Sequence, residues 1–205
     1  MSNQEMWESR YREQKEHTPD GAEPHPVVIE QAEEVIAGAT SAGESPGDLR
    51  AVDLGSGSGR HTVALAELGM SVTAVDFAAS AHDVVQRDAR ERGVEDRVTS
   101  VTADVASWEP EGSFDLIVAA YLHIEDLGIL RNTARWLAPG GRLVWIAHAP
   151  ESPHGPPATV VRESLDDYRR ELEPLDSQLS VVSLEEYQLN PEFLDIIAII
   201  ENPGK

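Results

Sequence analysis

Apolar runs alternate with segments of helical periodicity along the middle of the chain. Five short apolar runs predict strands at Leu49–Leu54, Ser71–Val75, Val98–Thr102, Phe114–Ala119 and Arg142–Ala147. Between them, apolar residues three or four positions apart predict helices at Arg60–Leu68, at Ser80–Arg92 with Ser80 as the N-cap, and at Asp126–Leu137. Because the strands are almost continuously apolar, they indicate a parallel sheet that helices cover on both faces.

The two ends of the chain break this alternation. Residues 1–38 precede the first strand and predict two helices, the first of which carries Trp7 and Tyr11 four positions apart. Near the other end, Leu179–Tyr187 and Phe193–Ile200 flank an Asn-Pro turn and predict two paired strands. A further helical face is predicted before them by Val161, Leu165, Tyr168 and Leu172.

Composition and charge limit the partners. The 205 residues suit one domain, 1–205, and they contain 37 acids against 16 bases, for a net charge of −21. Such a surface repels phosphate backbones, so we expect no nucleic-acid partner. No apolar run approaches the roughly 20 residues of a membrane helix, the first residues do not form a secretory signal, and there is no cysteine. We therefore expect a cytoplasmic location and no membrane partner.

A glycine-rich stretch, VDLGSGSGR, ends the first predicted strand and leads into a helix, where glycines allow a ligand to approach the backbone. A phosphate-binding P-loop would need Gly-Lys-Ser/Thr, but Arg60-His61 follows Gly59. The dinucleotide fingerprint would need its third glycine at position 60, which is arginine. The spacing of Gly55, Gly57 and Gly59 instead fits the G-x-G-x-G loop that holds S-adenosylmethionine.

Two acids follow the next strands. Asp76 ends the second strand, where a carboxylate can accept hydrogen bonds from both ribose hydroxyls of a bound nucleoside, although a dinucleotide enzyme uses the same arrangement. Asp104 follows the third strand and can accept from an adenine amino group, while Val105 covers the ring. We assign Phe77 and Ala120, which follow the second and the fourth predicted strand, to the same pocket.

From about residue 46 to the C-terminus, the chain resembles class I S-adenosylmethionine-dependent methyltransferases. The resemblance rests on the glycine loop with its leading acid Asp53, on Asp76, on Asp104, on the block FDLIVAAYLHI and on the turn LAPGG. It implies a Rossmann-like, doubly wound α/β fold with a seven-stranded, mostly parallel sheet, an antiparallel C-terminal strand and helices on both faces. It also implies S-adenosylmethionine as cofactor and S-adenosylhomocysteine as product.

The N-terminal segment Trp7-Glu8-Ser9-Arg10-Tyr11 is similar to the W-x-x-R-Y segment of small bacterial methyltransferases of the tellurite-resistance and thiopurine type. That similarity implies an N-terminal helical lid, with Trp7 and Tyr11 closing the pocket near the methionine end of the cofactor. The alternative is an amphipathic helix that only packs on the sheet. We accordingly divide the domain into a lid (1–45), a cofactor-binding core (46–150) and an acceptor-side loop, helix and hairpin (151–205).

Candidate catalytic residues follow the fourth and fifth strands, namely Tyr121, His123 and His148. A general base is needed only if the acceptor carries a proton, so His123 is either a base, a group that orients the acceptor, or a residue bonded within its own turn. The histidines are scattered and predict no metal site. We expect a small-molecule acceptor with an O, N, S or chalcogen nucleophile, and a monomer or homodimer. Two alternatives stay open: a protein that binds S-adenosylmethionine without methyl transfer, and a nicotinamide-dependent oxidoreductase.

Overall fold

The computed structural model describes residues 3–14, 23–122, 124, 126–154 and 161–204. The helices in these ranges are α1 (Asn3–Gln14), α2 (Pro26–Ser41), α3 (Arg60–Glu67), α4 (Ala79–Glu91), α5 (Gly128–Ala134) and α6 (Leu165–Leu172). The strands are β1 (Arg50–Leu54), β2 (Ser71–Asp76), β3 (Val98–Thr102), β4 (Phe114–Ala120), β5 (Leu137–His148), β6 (Ser180–Asn190) and β7 (Phe193–Glu201). None of the helices in the described ranges is both long enough and apolar enough to cross a membrane.

The strands form one seven-stranded sheet in the order β3-β2-β1-β4-β5-β7-β6. Strands β1 to β5 pair in parallel, whereas β7 runs antiparallel to both β5 and β6. This confirms the doubly wound, mostly parallel α/β fold with an antiparallel strand near the C-terminus. The winding reverses between β1 and β4, and in such sheets ligands bind beyond the carboxyl ends of the strands at that point.

Helices cover the sheet on both faces, as predicted. On one face, α2, α3 and α4 bury aliphatic side chains such as Val28, Leu65 and Val85 against the sheet. On the other face, α5 and α6 pack with Trp145, whose indole N–H donates to the Tyr168 hydroxyl at 3.3 Å. The helix α2 therefore belongs to the core, while α1 packs against α4 at the edge of the molecule.

The LAPGG segment departs from its prediction. The helix predicted over Asp126–Leu137 is confined to α5, and Leu137 already pairs with Phe114 as the first residue of β5. The pairing then skips to Leu116 and Arg142, so the proline and glycines form an irregularity inside the strand. Proline has no N–H for the sheet, which explains why the segment leaves the ladder there.

Two further predictions at helix ends are wrong. Ser80 lies inside α4, whose N-cap is Ala78. The first N–H groups of α4 instead donate to the carboxylate of Glu8 on α1, from Ala79 at 2.7 Å and from Ser80 at 3.4 Å. Val161 is not on α6: it lies before the Ser164 cap and is 80% exposed.

Candidate active site

The three glycines of the loop all need the backbone freedom that glycine provides. Gly55, Gly57 and Gly59 have φ values of 69°, 53° and 85°, a region that other residues rarely adopt. A Cβ on each would also lie 2.6 or 2.7 Å from an atom of a neighbouring side chain, namely Leu122, Tyr11 and Val85 respectively. The loop is therefore a close-packed backbone surface at the carboxyl end of β1, leading into α3.

Asp76 ties this loop to the neighbouring strand. Its buried carboxylate accepts from the N–H of Gly57 through Oδ2 at 2.9 Å and from the N–H of Ala78 through Oδ1 at 2.8 Å. A carboxylate has about four acceptor positions, so each oxygen keeps one for a further donor. The side chain can thus hold the loop and still accept from the hydroxyls of a ribose.

Asp53 on β1 is buried and bonds to the first turn of α3. Its Oδ2 accepts from the Thr62 hydroxyl at 2.7 Å and from the Thr62 N–H at 3.1 Å. Burial raises the pKa of Asp53 to about 6, although the two bonds from Thr62 act in the opposite direction. Asp53 therefore anchors the N-terminus of α3. Its contact with a cofactor stays a prediction.

The other predicted pocket residues lie at the same edge of the sheet. Phe77 follows β2 and is half-buried, while Ala120 ends β4. Asp104 follows β3 with an exposed side chain, and its Oδ1 accepts from the Ala106 N–H at 2.9 Å. Val105 beside it is buried. The structure thus brings all four residues to the edge that carries the glycine loop.

Helix α1 lies over the loop. The rings of Trp7 and Tyr11 stack with their centroids 5.7 Å apart, and the Tyr11 hydroxyl packs against Gly57. Glu8, between them, holds α1 to the N-terminus of α4 through the bonds described above. This position fits a cover over the pocket.

Tyr121 has a strained backbone at the end of β4. Its φ is 58°, which is uncommon for a residue with a side chain and is found mostly where the surroundings impose it. Its hydroxyl donates to Asp195 Oδ2 at 2.9 Å, and its ring lies 4.4 Å from that of His148, with the Arg60 guanidinium 5.1 Å away. Burial and the negative charge of Asp195 raise the pKa of Tyr121.

Asp195 on β7 is a candidate site residue that the sequence analysis missed. It is fully buried, and its Oδ1 lies 3.0 Å from His148 Nδ1. Burial alone would raise its pKa, but the hydrogen bonds with His148 and Tyr121 and the nearby His25 ring outweigh that effect and lower the pKa to about 2. A signal was present, because Asp195 is the one acid inside the apolar run FLDIIAII, and a charge in a buried strand needs partners.

His25 approaches the same carboxylate from the N-terminus of α2. Its Nδ1 accepts from the Val27 N–H at 3.2 Å, and its Nε2 lies 3.8 Å from Asp195 Oδ2. The backbone N–H of His25 donates to His61 Nε2 at 3.2 Å, and burial lowers the pKa of His61 to about 3. A buried polar cluster therefore links α2, α3, β4, β5 and β7.

A cleft opens beside this cluster. Its wall includes Tyr121, Leu122, His148 and Arg162. Leu122 also contacts Gly55, so the cleft adjoins the glycine loop. The third predicted catalytic residue, His123, lies outside the described residues. Within the described part of the chain, no group of three His, Asp or Glu side chains is arranged to hold a metal ion.

The sequence of the core matches known enzymes. Residues 51–141 match a family described as a methyltransferase domain. A ubiquinone biosynthesis O-methyltransferase of Caulobacter sp. (strain K31) is 35% identical over 99 residues, which are 47% of this chain and 39% of the relative. A ribosomal protein L11 methyltransferase of Symbiobacterium thermophilum is 39% identical over 101 residues, 49% of this chain and 32% of the relative. The matched part thus spans less than half the length of these relatives.

Solved structures match over more of the chain. Magnesium protoporphyrin IX methyltransferase from Synechocystis PCC 6803, crystallised with S-adenosylhomocysteine, superposes with a TM-score of 0.68 at 19% identity over 97% of each chain. TehB from Haemophilus influenzae superposes with a TM-score of 0.65 at 16% identity, over 96% of this chain and 67% of the other. At these identities the similarity concerns the fold.

Proposed function

We propose that the chain is a methyltransferase of the class I, Rossmann-like fold, which transfers a methyl group from S-adenosylmethionine to a small-molecule acceptor; the methyltransferase match over residues 51–141 and the shared fold support this. One observation carries the proposal: three glycines with positive φ lie beside the buried carboxylate of Asp76 at the point where the sheet reverses its winding. Structures with the same fold were crystallised with S-adenosylhomocysteine, S-adenosylmethionine or sinefungin, which supports this cofactor over a nicotinamide.

The residues at this edge fit an adenosyl group. We assign the ribose hydroxyls to the remaining acceptor positions of Asp76, and the adenine to Asp104 and Val105. The three loop glycines carry no Cβ and have positive φ, so their backbone N–H groups suit close approach of the methionine part. We further assign Trp7 and Tyr11 to the cover, and Phe77, Ala120 and Asp53 to the wall and floor of the pocket.

Methyl transfer depends more on how the acceptor is positioned than on a reactive side chain. S-adenosylmethionine supplies an activated methyl group, so that a bond from the acceptor to the methyl carbon forms as the sulfonium C–S bond breaks, and a neutral thioether remains. The protein holds the acceptor in line and keeps water out. We assign the acceptor to the cleft lined by Tyr121 and His148, with His123 as a further candidate at its edge.

The remaining assignments are also proposals. We divide the chain into a lid (1–45), a cofactor-binding core (46–150) and an acceptor side (151–205). The net charge of −21 favours a small acceptor over a nucleic acid, because the surface repels phosphates. A cytoplasmic location and a monomer or homodimer are our proposals for its place and assembly.

Calorimetric titration of S-adenosylmethionine, S-adenosylhomocysteine and NAD into the protein tests the function. We expect both adenosyl ligands to bind, NAD not to bind, and Asp76→Ala to weaken binding by about 1–3 kcal/mol. Asp115→Ala is the matched control, because Asp115 also accepts from a backbone N–H, that of Arg50 at 2.8 Å, but at the opposite end of β1. Binding of NAD alone, or equal losses in both variants, would contradict the proposal.

A further inference from the structure

The hydrogen bonds of Asp195 determine where His148 carries its proton. An ionised carboxylate only accepts, so the contact of 3.0 Å between Asp195 Oδ1 and His148 Nδ1 requires the hydrogen to lie on Nδ1. The low pKa of Asp195 keeps that carboxylate ionised. A neutral His148 then has its lone pair on Nε2, the other polar atom of a ring that lines the cleft.

The rest of the cluster holds Asp195 in this role. Its other oxygen, Oδ2, accepts from the Tyr121 hydroxyl at 2.9 Å. Nδ1 of His25 is occupied by the Val27 N–H, so a neutral His25 carries its hydrogen on Nε2, which lies 3.8 Å from the same Oδ2. Tyr121 and His148 therefore donate to Asp195, the Nε2 of His25 lies near it, and the carboxylate has no need of a proton of its own.

His148 is also held from both sides. Its ring lies against Tyr121, with the centroids 4.4 Å apart, and against Phe193 at 6.0 Å. Its side chain is 12% exposed, so it reaches the cleft without being free in solvent. Among the described residues, the charged groups that share this cleft are Arg162 and Glu163.

We propose that Asp195 is a positioning residue that holds His148 as a general base, and that the acceptor is therefore one that must lose a proton, an alcohol, a phenol or an ammonium group. This inference rests on the proposed function. The acceptor's proton passes to His148 Nε2, before attack from an ammonium nitrogen and during attack from a hydroxyl oxygen, and the charge of Asp195 stabilises the imidazolium. The acceptor's O or N lone pair bonds to the methyl carbon as the sulfonium C–S bond breaks. The proton then leaves to solvent, which restores the base. An acceptor that is already an anion, such as a thiolate, would need no such pair.

Nitrogen spectra of histidine test the pair without any turnover. In protein labelled with nitrogen-15 in its histidines, proton–nitrogen correlations separate an N–H nitrogen from a bare one, and His148→Gln identifies the signals. At about pH 9, where an unperturbed imidazole is neutral, we expect Nδ1–H and a bare Nε2 at His148. In Asp195→Asn the amide can donate to Nδ1, so we expect the Nε2–H form to increase by about tenfold or more.

The control is Asp176→Asn, which replaces an exposed acid that accepts from the Gln178 N–H. It should leave the His148 signals unchanged. A wild-type His148 with Nε2–H, an imidazolium at this pH, or an Asp195→Asn spectrum equal to that of wild type would overturn the positioning role. Cofactor binding is measured on the same samples. If wild type binds S-adenosylmethionine but lacks the Nδ1–H form of His148, this inference alone is contradicted. If wild type does not bind S-adenosylmethionine, the proposed function is contradicted.

The acceptor class has its own test on the protein loaded with S-adenosylmethionine. The probes are phenol, catechol, benzyl alcohol and benzylamine against thiophenol and sulfide. We expect product from the first group, with kcat reduced by about 100-fold or more in Asp195→Asn and the KM for S-adenosylmethionine within about twofold. Product from thiols alone, or no product while the cofactor binds, would overturn the assignment.

Discussion

Two buried aspartates show how differently the two halves of the site are built. Asp53, on β1, and Asp195, beside the cleft, are 2% and 0% exposed, yet burial raises the pKa of the first to about 6 while the pKa of the second falls to about 2. Asp53 accepts from the neutral donors of Thr62, and the charge of Arg60 has a smaller effect, whereas Asp195 contacts His148, His25 and Tyr121. Partners, more than burial, therefore decide whether an interior acid is charged.

The halves also differ in what forms them. On the proposed cofactor side, the surface is backbone: glycines with positive φ, and N–H groups held by Asp53 and Asp76 from adjacent strands. On the proposed acceptor side, the surface is a cluster of side chains that the fold brings together from distant segments. Substitutions that alter the backbone should therefore weaken cofactor binding most at the glycine loop. Substitutions that remove a charge should have their clearest effect at the side-chain cluster around Asp195.

The largest effect should come from a methyl group in the loop. Gly59→Ala and Gly140→Ala place a Cβ at nearly the same φ, 85° and 82°, but only at Gly59 does it meet another side chain, at 2.7 Å from a Val85 methyl. The backbone costs about 1–2 kcal/mol in both, and overpacking adds about 1–3 kcal/mol at Gly59. Urea unfolding should show the larger loss in Gly59→Ala, and calorimetry should show weaker S-adenosylmethionine binding in that variant only. Equal effects on binding would mean that the loop is not a ligand surface.

The next effect is the pH dependence that Asp53 confers. The pKa of Asp53 is higher in the folded state than in the unfolded state, so protonation of Asp53 stabilises the folded state. This contribution to the free energy of unfolding is lost as the pH rises from about 4 to about 6. Asp53→Asn removes the titration but keeps an oxygen for Thr62. The variant's free energy of unfolding, relative to wild type, should thus rise by about 2–3 kcal/mol across that window. If urea unfolding gave a difference between the two proteins that does not change with pH, the pKa of Asp53 would not be raised, and the contrast with Asp195 would be lost.

The pH dependence of stability that Asp195 confers should have the opposite sign. Its folded pKa lies below the unfolded value, so its contribution is present above about pH 4 and is lost as the pH falls towards 2. The advantage of wild type over Asp195→Asn should therefore shrink by about 2 kcal/mol between pH 4 and pH 2. Unfolding of both proteins over that range measures it. A difference that grows with falling pH would show that Asp195 is not held as an anion.

The smallest effect concerns the cover. Glu8→Gln weakens the cap on α4, since an amide offers one acceptor oxygen and no charge to the first N–H groups. We expect the free energy of opening of α1 to fall by about 0.5–1 kcal/mol, which would appear as several-fold faster hydrogen exchange of its amides. Glu91→Gln, an exposed acid at the other end of α4, is the control. Equal exchange in the three proteins would show that Glu8 does not hold the cover.

What the sequence predicted follows the same division. Apolar runs and the spacing of Gly55, Gly57 and Gly59 predicted the sheet and the loop, because both depend on residues close together in the chain. The cap of α4 by Glu8 was not predictable, since the partner comes from another helix. Nor was the cluster around Asp195 predictable, since it needs β7 to lie beside β5 and α2 to begin there. Pairing of distant segments is a property of the fold, and local patterns do not contain it.

The most direct test of the account is where S-adenosylhomocysteine binds. Backbone amide spectra of the labelled protein, recorded during a titration with this ligand, should show saturable shifts at Gly55, Gly57, Gly59, Ala78 and Val105. The amide of Arg50, at the other end of β1, should stay in place. Shifts confined to residues away from the carboxyl ends of β1 to β4, or no saturable shift in a folded sample, would contradict the central claim that this edge is the cofactor site of a methyltransferase.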